Sequence, residues 1–531
     1  MRARSIAENI LPKFKVWMVA SEVGRIKSAG GMSDAVHGMA HALAKDGHKV
    51  TIVMPCYADS IKYFLRRDMK ATHDETLNIP TAGGIVTAES YLASLPVGAE
   101  GKQRMSVYLI DSEDTRLFGN RVEIYSYRDR PLGFLLFCRA ALELFKKKSS
   151  RANNPGLGKR RLRLMDLIPQ IIHTHDWPTG FLPYFFRHVE KNIRVALVHS
   201  IHNLGYGIEM GFAPDKFFGL TGETNPWVYS PSGMEFHGNI DQTKTAIVFA
   251  DKIVTVSPSY AQEILAGQTP LPASKYQGIL QARRADVHGI LNGLPDDFGP
   301  QKFAERESGF RLRAPYSPED LSGKRECRRQ LQQSLGLPID EKAFVLAVSG
   351  RWVAQKGIDV AIDNIEAFMS LPIQFVFVGS GEMYKQVMAL NDVYPGRFHA
   401  HGFETGFDED LEALYLAGSD ALLMPSRFEP CGLAQMKAQK LGTLPIVNGT
   451  GGLKDTVADG EDGFVIPGVS FDSIFQGVGR AISTYQGEPS RWEDMIRAAM
   501  RHDYSWSAAA KNYVDQIYKE AVARAFRQTL P

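Results

Sequence analysis

The sequence predicts an α/β fold with two domains, each built on a mainly parallel sheet. Three observations support this prediction. The chain has 531 residues, more than a single hydrophobic core usually organises. Apolar runs of strand length alternate with segments whose apolar residues recur at helical spacing. A stretch at 295–341, rich in proline, glycine and charges of both signs, separates two such alternating series.

The composition is that of an ordinary globular protein, with 44% hydrophobic and 23% charged residues. A net charge of +2 gives no reason to expect a nucleic acid or a membrane surface as partner. No apolar run approaches the ~20 residues that cross a bilayer, and Met1–Pro12 lacks the apolar core of a signal peptide. The four cysteines are widely spaced, so we expect a reducing, cytoplasmic location.

The first series opens with a strand at 15–21, a glycine-rich loop, a helix at 33–45 and a strand at 48–54, which together make a βαβ unit. The loop contains Gly30 and Gly31 but lacks the GxGxxG pattern, so it does not predict a dinucleotide-binding domain. Adjacent glycines before a helix let a phosphate approach the backbone. The alternative is a tight turn that needs glycine for its own geometry.

The rest of the first series is less regular. It has a strand-like run at 106–110, a helix at 131–147 that is apolar on all sides, and a basic stretch at 146–163 that we interpret as an exposed loop. Further predicted elements are strands at 171–175, 195–201, 251–257 and 288–293 and a helix at 243–250. A helix at 324–335 lies inside the stretch that separates the two series.

Polar residues follow two neighbouring strands of this series. Asp176 comes after the first of these strands, and His202 and Asn203 come after the second. Because parallel strands end at the same edge of a sheet, these side chains predict one polar pocket suited to sugar hydroxyls. A metal site is the alternative, since His173 and His175 share a strand face, but no other residues complete its ligand set.

The second series begins with a strand at 343–349, followed by Arg351, Lys356 and a helix at 358–368. At the carboxyl end of a strand, the fork of an arginine and the point charge of a lysine suit a diphosphate. The alternative is an exposed loop that happens to carry two bases. Further predicted elements are strands at 373–379, 397–403, 420–424, 444–447 and 464–466 and helices at 409–417, 433–438 and 506–525.

The segment 425–433 joins a buried strand to a helix and contains one carboxylate, Glu429. This position would aim Glu429 and the amides of Gly432 and Leu433 into a crevice at the carboxyl edge of the sheet. The alternative is a solvated loop acid. A later pair, Gly451–Gly452, follows the next strand and could form a backbone cradle for phosphate or sugar.

We predict an N-terminal domain over 1–300, a linker over 301–340, a C-terminal domain over 341–504 and a C-terminal helix over 505–531 that packs back on the N-terminal domain. Both domains present polar residues at strand ends, so we expect them to face each other across a cleft that holds one site. Closing such a cleft excludes water, which protects a transfer reaction from hydrolysis.

The motifs resemble those of bacterial glycogen synthases and plant starch synthases, which are retaining glycosyltransferases with two Rossmann-like domains (the GT-B fold). The resemblance covers most of the chain, and its motifs occur in the family's order. They are Ser21–Glu22, Gly30–Gly31, His173–Trp177, His202–Asn203, Ala250–Ala261, Gly289–Gly293, Gln355–Gly357, Pro425–Leu433 and Thr450–Leu453.

The resemblance implies transfer of glucose from ADP-glucose to the non-reducing 4-hydroxyl of an α-1,4-glucan, with retention. It implies a nucleotide sugar and a glucan such as glycogen as partners, and no cofactor. No Asp-x-Asp metal motif stands among the shared motifs, so we also expect no metal requirement. The sequence leaves the choice between ADP-glucose and UDP-glucose open.

Residue roles follow from the same resemblance. Arg351 and Lys356 would hold the diphosphate, and Glu429 would contact the donor glucose. Asp176 and His202 would lie beside the sugar. Further donor contacts are implied for Lys27, Gly30, Gly31, Cys431, Gly432, Leu433, Thr450, Gly451 and Gly452.

One departure from the family concerns the first loop, which usually reads Lys-x-Gly-Gly-Leu. Here Lys27 is followed by two residues before Gly30, so that Ser28 occupies the place expected of the lysine. Either the loop bulges and Lys27 still reaches the donor, or one phosphate contact is missing. Gly449 also replaces the usual arginine before Thr450.

Two other functions stay open at this point. The chain could be a GT-B transferase that acts on another acceptor, such as sucrose or a lipid-linked sugar. It could also be a non-catalytic α-glucan-binding partner whose donor site has weakened at the first loop.

Overall fold

The computed structural model describes residues 13–58, 60, 71–98, 103–112, 121, 123–125, 130–154, 168–190, 193–206, 213–223, 225–306, 310–403 and 408–527. The chain divides into two compact units, which confirms the predicted two-domain α/β class. Unit 1 consists of Met1–Val256, Ala261–Ile290 and Trp506–Pro531, and unit 2 consists of Ser257–Tyr260 and Leu291–Ser505.

Unit 1 contains a nine-stranded sheet with the order β11-β10-β7-β6-β1-β2-β5-β4-β3. A separate hairpin is formed by β8 and β9. The strands are β1 (Lys15–Val19), β2 (Lys49–Pro55), β3 (Thr72–Thr81), β4 (Gly84–Val97), β5 (Gln103–Asp111), β6 (Ile171–His175), β7 (Ala196–Ile201), β8 (Glu235–Phe236), β9 (Asn239–Ile240), β10 (Lys252–Thr255) and β11 (Val287–Gly289). All neighbouring pairs from β11 to β5 are parallel, whereas β3 and β4 join antiparallel at one edge.

The position that matters for function lies at the centre of this sheet. Strand β1 is parallel to β2 on one side and to β6 on the other, with Val16 paired to Val50 and to Ile171. The chain therefore continues from β1 to β2 on one side and later adds β6 on the other side. The loops after β1 and β6 are neighbours at this topological switch point. Ligands bind at such points in open α/β sheets.

Unit 2 repeats this plan with six parallel strands in the order β14-β13-β12-β15-β16-β17. They are β12 (Phe344–Arg351), β13 (Ile373–Ser380), β14 (Phe398–Gly402), β15 (Ala421–Met424), β16 (Leu444–Asn448) and β17 (Phe464–Ile466). Here the switch point lies between β12 and β15, so the loops after these two strands are neighbours.

Helices flank both sheets. In chain order the α-helices of the described residues are Gly31–Lys45, Arg130–Ala152, Leu182–Tyr184, Pro214–Thr221, Gln242–Phe249, Pro258–Ala266, Gln277–Ala282, Pro300–Ala304, Ser322–Ser334, Ile358–Asp363, Ile365–Met369, Tyr384–Val393, Glu409–Gly418, Ala434–Lys440, Gly451–Thr456, Phe471–Gly487, Pro489–Met500, Trp506–Asn512 and Lys519–Arg527. Two π-helical segments are Phe185–Val189 and Tyr513–Tyr518. None of the helices described is both long and apolar enough to cross a membrane.

The C-terminal segment completes the core of unit 1. Trp506 packs so closely on helix Gly31–Lys45 that a Cβ on Gly38 would stand 2.1 Å from its Nε1 atom. Further along, the hydroxyl of Tyr518 lies 2.9 Å from Nδ1 of His173 in β6. Both aromatic side chains are buried, so the segment acts as a structural part of unit 1.

The basic stretch at 146–163 was predicted as an exposed loop, and this is wrong for its first part, because helix Arg130–Ala152 continues through it. Lys148 is buried, with its ammonium 2.5 Å from Asp74 and 3.0 Å from Glu75. Arg151 also pairs with Glu75, at 2.7 Å. The cations therefore neutralise acids of β3, which sequence spacing could not reveal. Residues 155–163 lie outside the described residues.

The helix predicted at 358–368 is divided into Ile358–Asp363 and Ile365–Met369. Asn364 separates them, and its side-chain amide donates to the carbonyl of Val360 at 2.8 Å. An asparagine that bonds its own backbone in this way competes with continuous helix.

Candidate functional site

The loop after β1 is organised by Glu22, which is buried. Its Oε2 atom accepts hydrogen bonds from the backbone N–H of Ala29 at 2.5 Å and of Gly30 at 3.0 Å. Its Oε1 atom accepts from the hydroxyl of Tyr125 at 2.9 Å. Burial raises the pKa of the Glu22 carboxyl, although these hydrogen bonds act in the opposite direction. The buried carboxyl thus holds the backbone of the glycine-rich loop in place by hydrogen bonds.

Gly30 and Gly31 are exposed, and a Cβ at either position would meet nothing within 4 Å. Gly30 has φ −167°, an extended conformation open to any residue. Neither crowding nor left-handed backbone therefore requires glycine here. This favours the interpretation that the backbone is left open for a ligand at the start of helix Gly31–Lys45.

Ser28, at the place expected of the family's lysine, precedes helix Gly31–Lys45 and contacts its first turn. Its hydroxyl lies 2.6 Å from that of Ser33, which in turn donates to the carbonyl of Gly30 at 2.7 Å. The backbone of Lys27 pairs with Val23, through an N–H to carbonyl distance of 3.0 Å in one direction and 2.9 Å in the other. The segment before the glycines is thus folded into a tight turn.

At the ends of β6 and β7 the structure brings several histidines together. His173 and His175 stack with ring centroids 4.4 Å apart. Both nitrogens of His173 are engaged, one 2.9 Å from the hydroxyl of Tyr518 and the other 2.7 Å from that of Ser200. His173 is thus a core residue. Within the described ranges, no group of three or more His, Cys, Asp or Glu side chains is arranged to hold a metal.

His175 and His202 form the next pair, with Nδ1 of His175 3.1 Å from Nε2 of His202. Nε2 of His175 is buried without a partner. A proton there would leave a buried donor unsatisfied, so the favoured tautomer has its proton on Nδ1, donated to His202. Burial lowers the pKa of His202 to about 4, so the pair is neutral at neutral pH.

Asp176 ties the two strand ends together. It has a positive φ of 52°, and its Oδ1 atom accepts from the N–H of His202 at 2.7 Å and from that of Asn203 at 3.5 Å. Burial raises the pKa of Asp176 to about 7. The predicted group of Asp176, His202 and Asn203 is therefore brought to one place within unit 1.

In unit 2 the loops after β12 and β15 bring together two of the predicted residues, Lys356 and Glu429. The ammonium of Lys356 forms an ion pair and a hydrogen bond with Oε2 of Glu429. Ser426 donates to the same oxygen at 3.2 Å. Glu429 is 7% exposed, whereas Arg351 is exposed at the end of β12. Glu429 is therefore a buried, paired carboxylate and not a solvated loop acid.

Cys431 follows in the same loop and is buried, which raises the pKa of its thiol to about 12. A thiol so far from ionisation is a poor nucleophile. Gly432 has φ +74° and leads through Leu433 into helix Ala434–Lys440.

The glycines after β16 are required by packing. A Cβ on Gly451 would stand 1.9 Å from the carbonyl oxygen of Glu429, and one on Gly452 would stand 2.1 Å from that of Cys431. The N–H of Gly452 donates to the carbonyl of Glu429 at 3.2 Å. This segment, which begins after the half-buried Thr450, therefore presses on the Glu429 loop, and the amide of Gly452 is already engaged.

Several residues of these sites were not found from the sequence. Tyr125 and Ser426 bond directly to Glu22 and Glu429, respectively. Ser426 was signalled by its place in segment 425–433, but Tyr125 lies about a hundred residues from Glu22 in an irregular region. Gln355 was noted only as part of the motif Gln355–Gly357, although its side chain bonds to Arg351 and to Phe428.

Comparisons with known proteins agree with this arrangement. Residues 15–282 match the family model of the starch synthase catalytic domain, and residues 331–500 match that of glycosyl transferases group 1. The glycogen synthase of Moorella thermoacetica is 33% identical over 96% of this chain and 97% of its own length. Glycogen synthase 2 of Geobacter metallireducens is 34% identical over 95% of this chain and 98% of its own.

Solved structures add the fold. The catalytic domain of starch synthase IV from Arabidopsis thaliana, bound to ADP and acarbose, matches with a TM-score of 0.80 and 27% identity over 96% of this chain and 100% of that one. Sucrose-phosphate synthase from Thermosynechococcus elongatus shares the fold, with a TM-score of 0.56 and 16% identity over 96% of this chain and 100% of that one. The expected resemblance and the GT-B fold are confirmed, and this chain belongs to the glycogen synthase and starch synthase family of glycosyltransferases.

Proposed function

We propose that this protein transfers glucose from ADP-glucose to the non-reducing 4-hydroxyl of an α-1,4-glucan such as glycogen, with retention of configuration. Membership of the family supports the reaction class. The observation that carries the proposal is the ion pair of Lys356 with the buried carboxylate of Glu429 at the switch point of unit 2, with Arg351 at the end of the adjacent strand. These are two cations and one carboxylate at the edge where α/β sheets bind ligands.

The chemistry explains why this edge needs cations. Breaking the bond between the glucose C1 atom and the diphosphate places negative charge on the leaving nucleotide. Arg351 and Lys356 stabilise that charge most strongly in the transition state. Glu429 holds Lys356 in position and offers oxygen atoms to a sugar that becomes oxocarbenium-like.

Unit 1 supplies hydrogen-bonding groups whose charge is reduced by burial. In this proposal, Asp176 and His202 contact hydroxyls of the sugar, and the open backbone at Gly30 and Gly31 approaches the phosphates. The side-chain cations provide the positive charge that the leaving group needs, so we expect no cofactor and no metal requirement. We also expect a cytoplasmic location, where nucleotide sugars are made.

A direct assay tests the proposal. Purified protein is given ADP-glucose or UDP-glucose with glycogen, sucrose or no acceptor, in the presence and absence of EDTA. We expect α-1,4 chain extension of glycogen with ADP-glucose, unchanged by EDTA. Transfer only to sucrose would replace the proposed acceptor, and an EDTA-sensitive reaction would overturn the expectation of metal independence.

One observation favours a second candidate, a non-catalytic α-glucan-binding partner. Ser28 brings no charge to the place of the family's lysine, so the donor site lacks a cation there unless Lys27 reaches it. Titration with ADP separates the candidates, because the synthase must bind it and the Lys27→Ala variant should bind it more weakly if Lys27 compensates. Binding of glycogen without any binding of ADP by either protein would favour the second candidate.

A further inference from the structure

Gln355 makes three hydrogen bonds that join the two functional loops of unit 2. Its side-chain Oε1 atom accepts from Nη2 of Arg351 at 3.1 Å. Its Nε2 atom donates to the backbone carbonyl of Phe428 at 2.9 Å. Its own backbone carbonyl accepts from the N–H of Arg427 at 2.9 Å. One residue therefore links the guanidinium of Arg351 to the loop that carries Glu429.

Only an amide satisfies both side-chain contacts. The guanidinium of Arg351 is a pure donor, and the carbonyl of Phe428 is a pure acceptor. The opposite orientation of the Gln355 amide would face donor with donor and acceptor with acceptor. A carboxylate would keep the first contact but would repel the carbonyl of Phe428.

The two loops also pack closely against each other. Gly357 has φ +72°, and a Cβ there would stand 2.0 Å from the carbonyl oxygen of Pro425. The guanidinium of Arg427 binds both oxygens of Asp359, at 2.6 and 2.7 Å. Gln355 is thus held between closely packed segments. Its hydrogen bond restricts the conformations of the Arg351 side chain, which is otherwise exposed.

We propose that Gln355 is a positioning residue for the donor: it orients the guanidinium of Arg351 toward the diphosphate and couples it to the Glu429 loop. This inference rests on the proposed function for its substrate. It assigns Gln355 no direct contact with the reacting atoms.

The test uses full-length protein carrying Gln355→Ala or Gln355→Glu. Loss of orientation should lower kcat/KM for the donor about 10- to 100-fold, since small misplacements of a binding group have effects of this size. The KM for glucan should stay within twofold. The glutamate variant should be at least as impaired as the alanine variant, because its charge neutralises Arg351 and repels the carbonyl of Phe428.

A double-mutant cycle separates positioning from general destabilisation. In an Arg351→Ala background, Gln355→Ala should lower kcat/KM less than threefold further, because its effect passes through the missing arginine. The matched control is Gln330→Ala. Gln330 also bridges two backbone groups, the N–H of Arg313 and the carbonyl of Arg311, each at 2.8 Å, and it should keep wild-type kinetics.

ADP binding by calorimetry gives a readout that does not depend on transfer. We expect weaker binding in Gln355→Ala, again with little further loss in the Arg351→Ala background. If the variants showed these changes in ADP affinity but the wild type extended no glucan, the proposed function would fail and the inference would stand. Wild-type kinetics and ADP affinity in Gln355→Ala, or additive losses in the double mutant, would overturn the inference.

Discussion

Both units place polar side chains at the switch point of a parallel sheet, but they treat charge differently. In unit 1, burial drives the groups toward their neutral forms: the pKa of Asp176 is raised to about 7, and that of His202 is lowered to about 4. In unit 2, the buried carboxylate of Glu429 is matched by the ammonium of Lys356. The same topology thus supports an edge whose charge is reduced by burial, called the neutral edge below, and an ionic edge.

The two kinds of edge suit two different parts of a nucleotide-sugar substrate. Neutral donors and acceptors suit sugar hydroxyls, which carry no charge and are recognised by geometry. Fixed charges suit a leaving diphosphate, whose negative charge grows during the reaction. Substitutions on the ionic edge should therefore act on turnover, and changes on the neutral edge should act on stability and its pH dependence.

The largest expected effect is that of Glu429→Ala. It leaves the partly buried ammonium of Lys356 without its partner and removes a proposed sugar contact. We expect turnover with ADP-glucose to fall about 100- to 1,000-fold while the circular dichroism spectrum is retained. The control is Glu488→Ala, which removes an exposed carboxylate paired to Arg491 in the same unit. Activity of Glu429→Ala within threefold of wild type would contradict the ionic role of this edge.

The two glycine pairs provide the next contrast. Gly451→Ala places a methyl group against the carbonyl of Glu429 at φ +45°, so we expect it to lower the melting temperature and reduce activity at least about tenfold. Gly30→Ala faces open space and should leave the melting temperature unchanged. Thermal unfolding and initial rates of both variants check this. Equal destabilisation by the two substitutions would remove the distinction between packed and open glycines.

Acidification should destabilise unit 1 through its buried histidines, which outnumber buried acids such as Asp176, whose raised pKa acts in the opposite direction. Burial lowers the pKa of His199 to about 3 and that of His202 to about 4, whereas both titrate near 6.5 in the unfolded chain. The stability that they contribute is fully present above pH 6.5 and is lost as the pH falls toward 4 and 3. For His199 alone the loss is on the order of 3 kcal/mol at pH 4.

Hydrogen exchange at pH 7.5 and pH 4.5 can follow this loss in each unit. Amides of β6 and β7 should lose protection before those of β12 and β15, and His199→Asn should reduce the difference. Earlier loss of protection in unit 2 would show that other groups dominate acid unfolding.

The smallest expected effect is that of Ser28→Lys, which restores a cation at the place where the family carries one. If the first loop lacks a phosphate contact, the KM for ADP-glucose should fall a few-fold, about the value of one exposed charge interaction. Ser28→Gln is the matched control of similar length without charge. A KM unchanged by the lysine would indicate that the turn at Val23–Lys27 compensates for the missing residue.

The parts of the fold that could be predicted from the sequence are those whose cause is local. Buried parallel strands such as β12 are short apolar runs, and helix Gly31–Lys45 shows its period directly. The long antiparallel hairpin of β3 and β4 was not predicted, although its residues alternate between exposed and buried positions, which is the pattern of a half-buried strand. The charge cluster around Lys148 was also missed, since its partners lie about 70 residues away.

The candidate sites follow the same rule. The order of the motifs predicted Asp176 and His202 as one group and Lys356 and Glu429 as another, and each pair is in contact in the structure. Sequence could not show that the glycines near 451 are crowded whereas those near 30 are open, because crowding depends on segments that meet only in the folded chain. Nor could it show that burial neutralises one edge, since a pKa reflects its three-dimensional surroundings.

The place of Trp506–Arg527 in unit 1 has a consequence for biosynthesis. The ribosome makes these residues after all of unit 2, yet Trp506 fills the space beside Gly38 and Tyr518 binds His173. During translation, the core of unit 1 therefore stays incomplete until these last residues have been made. A chain that ended before residue 506 would contain every residue of unit 2 but would lack part of the core of unit 1.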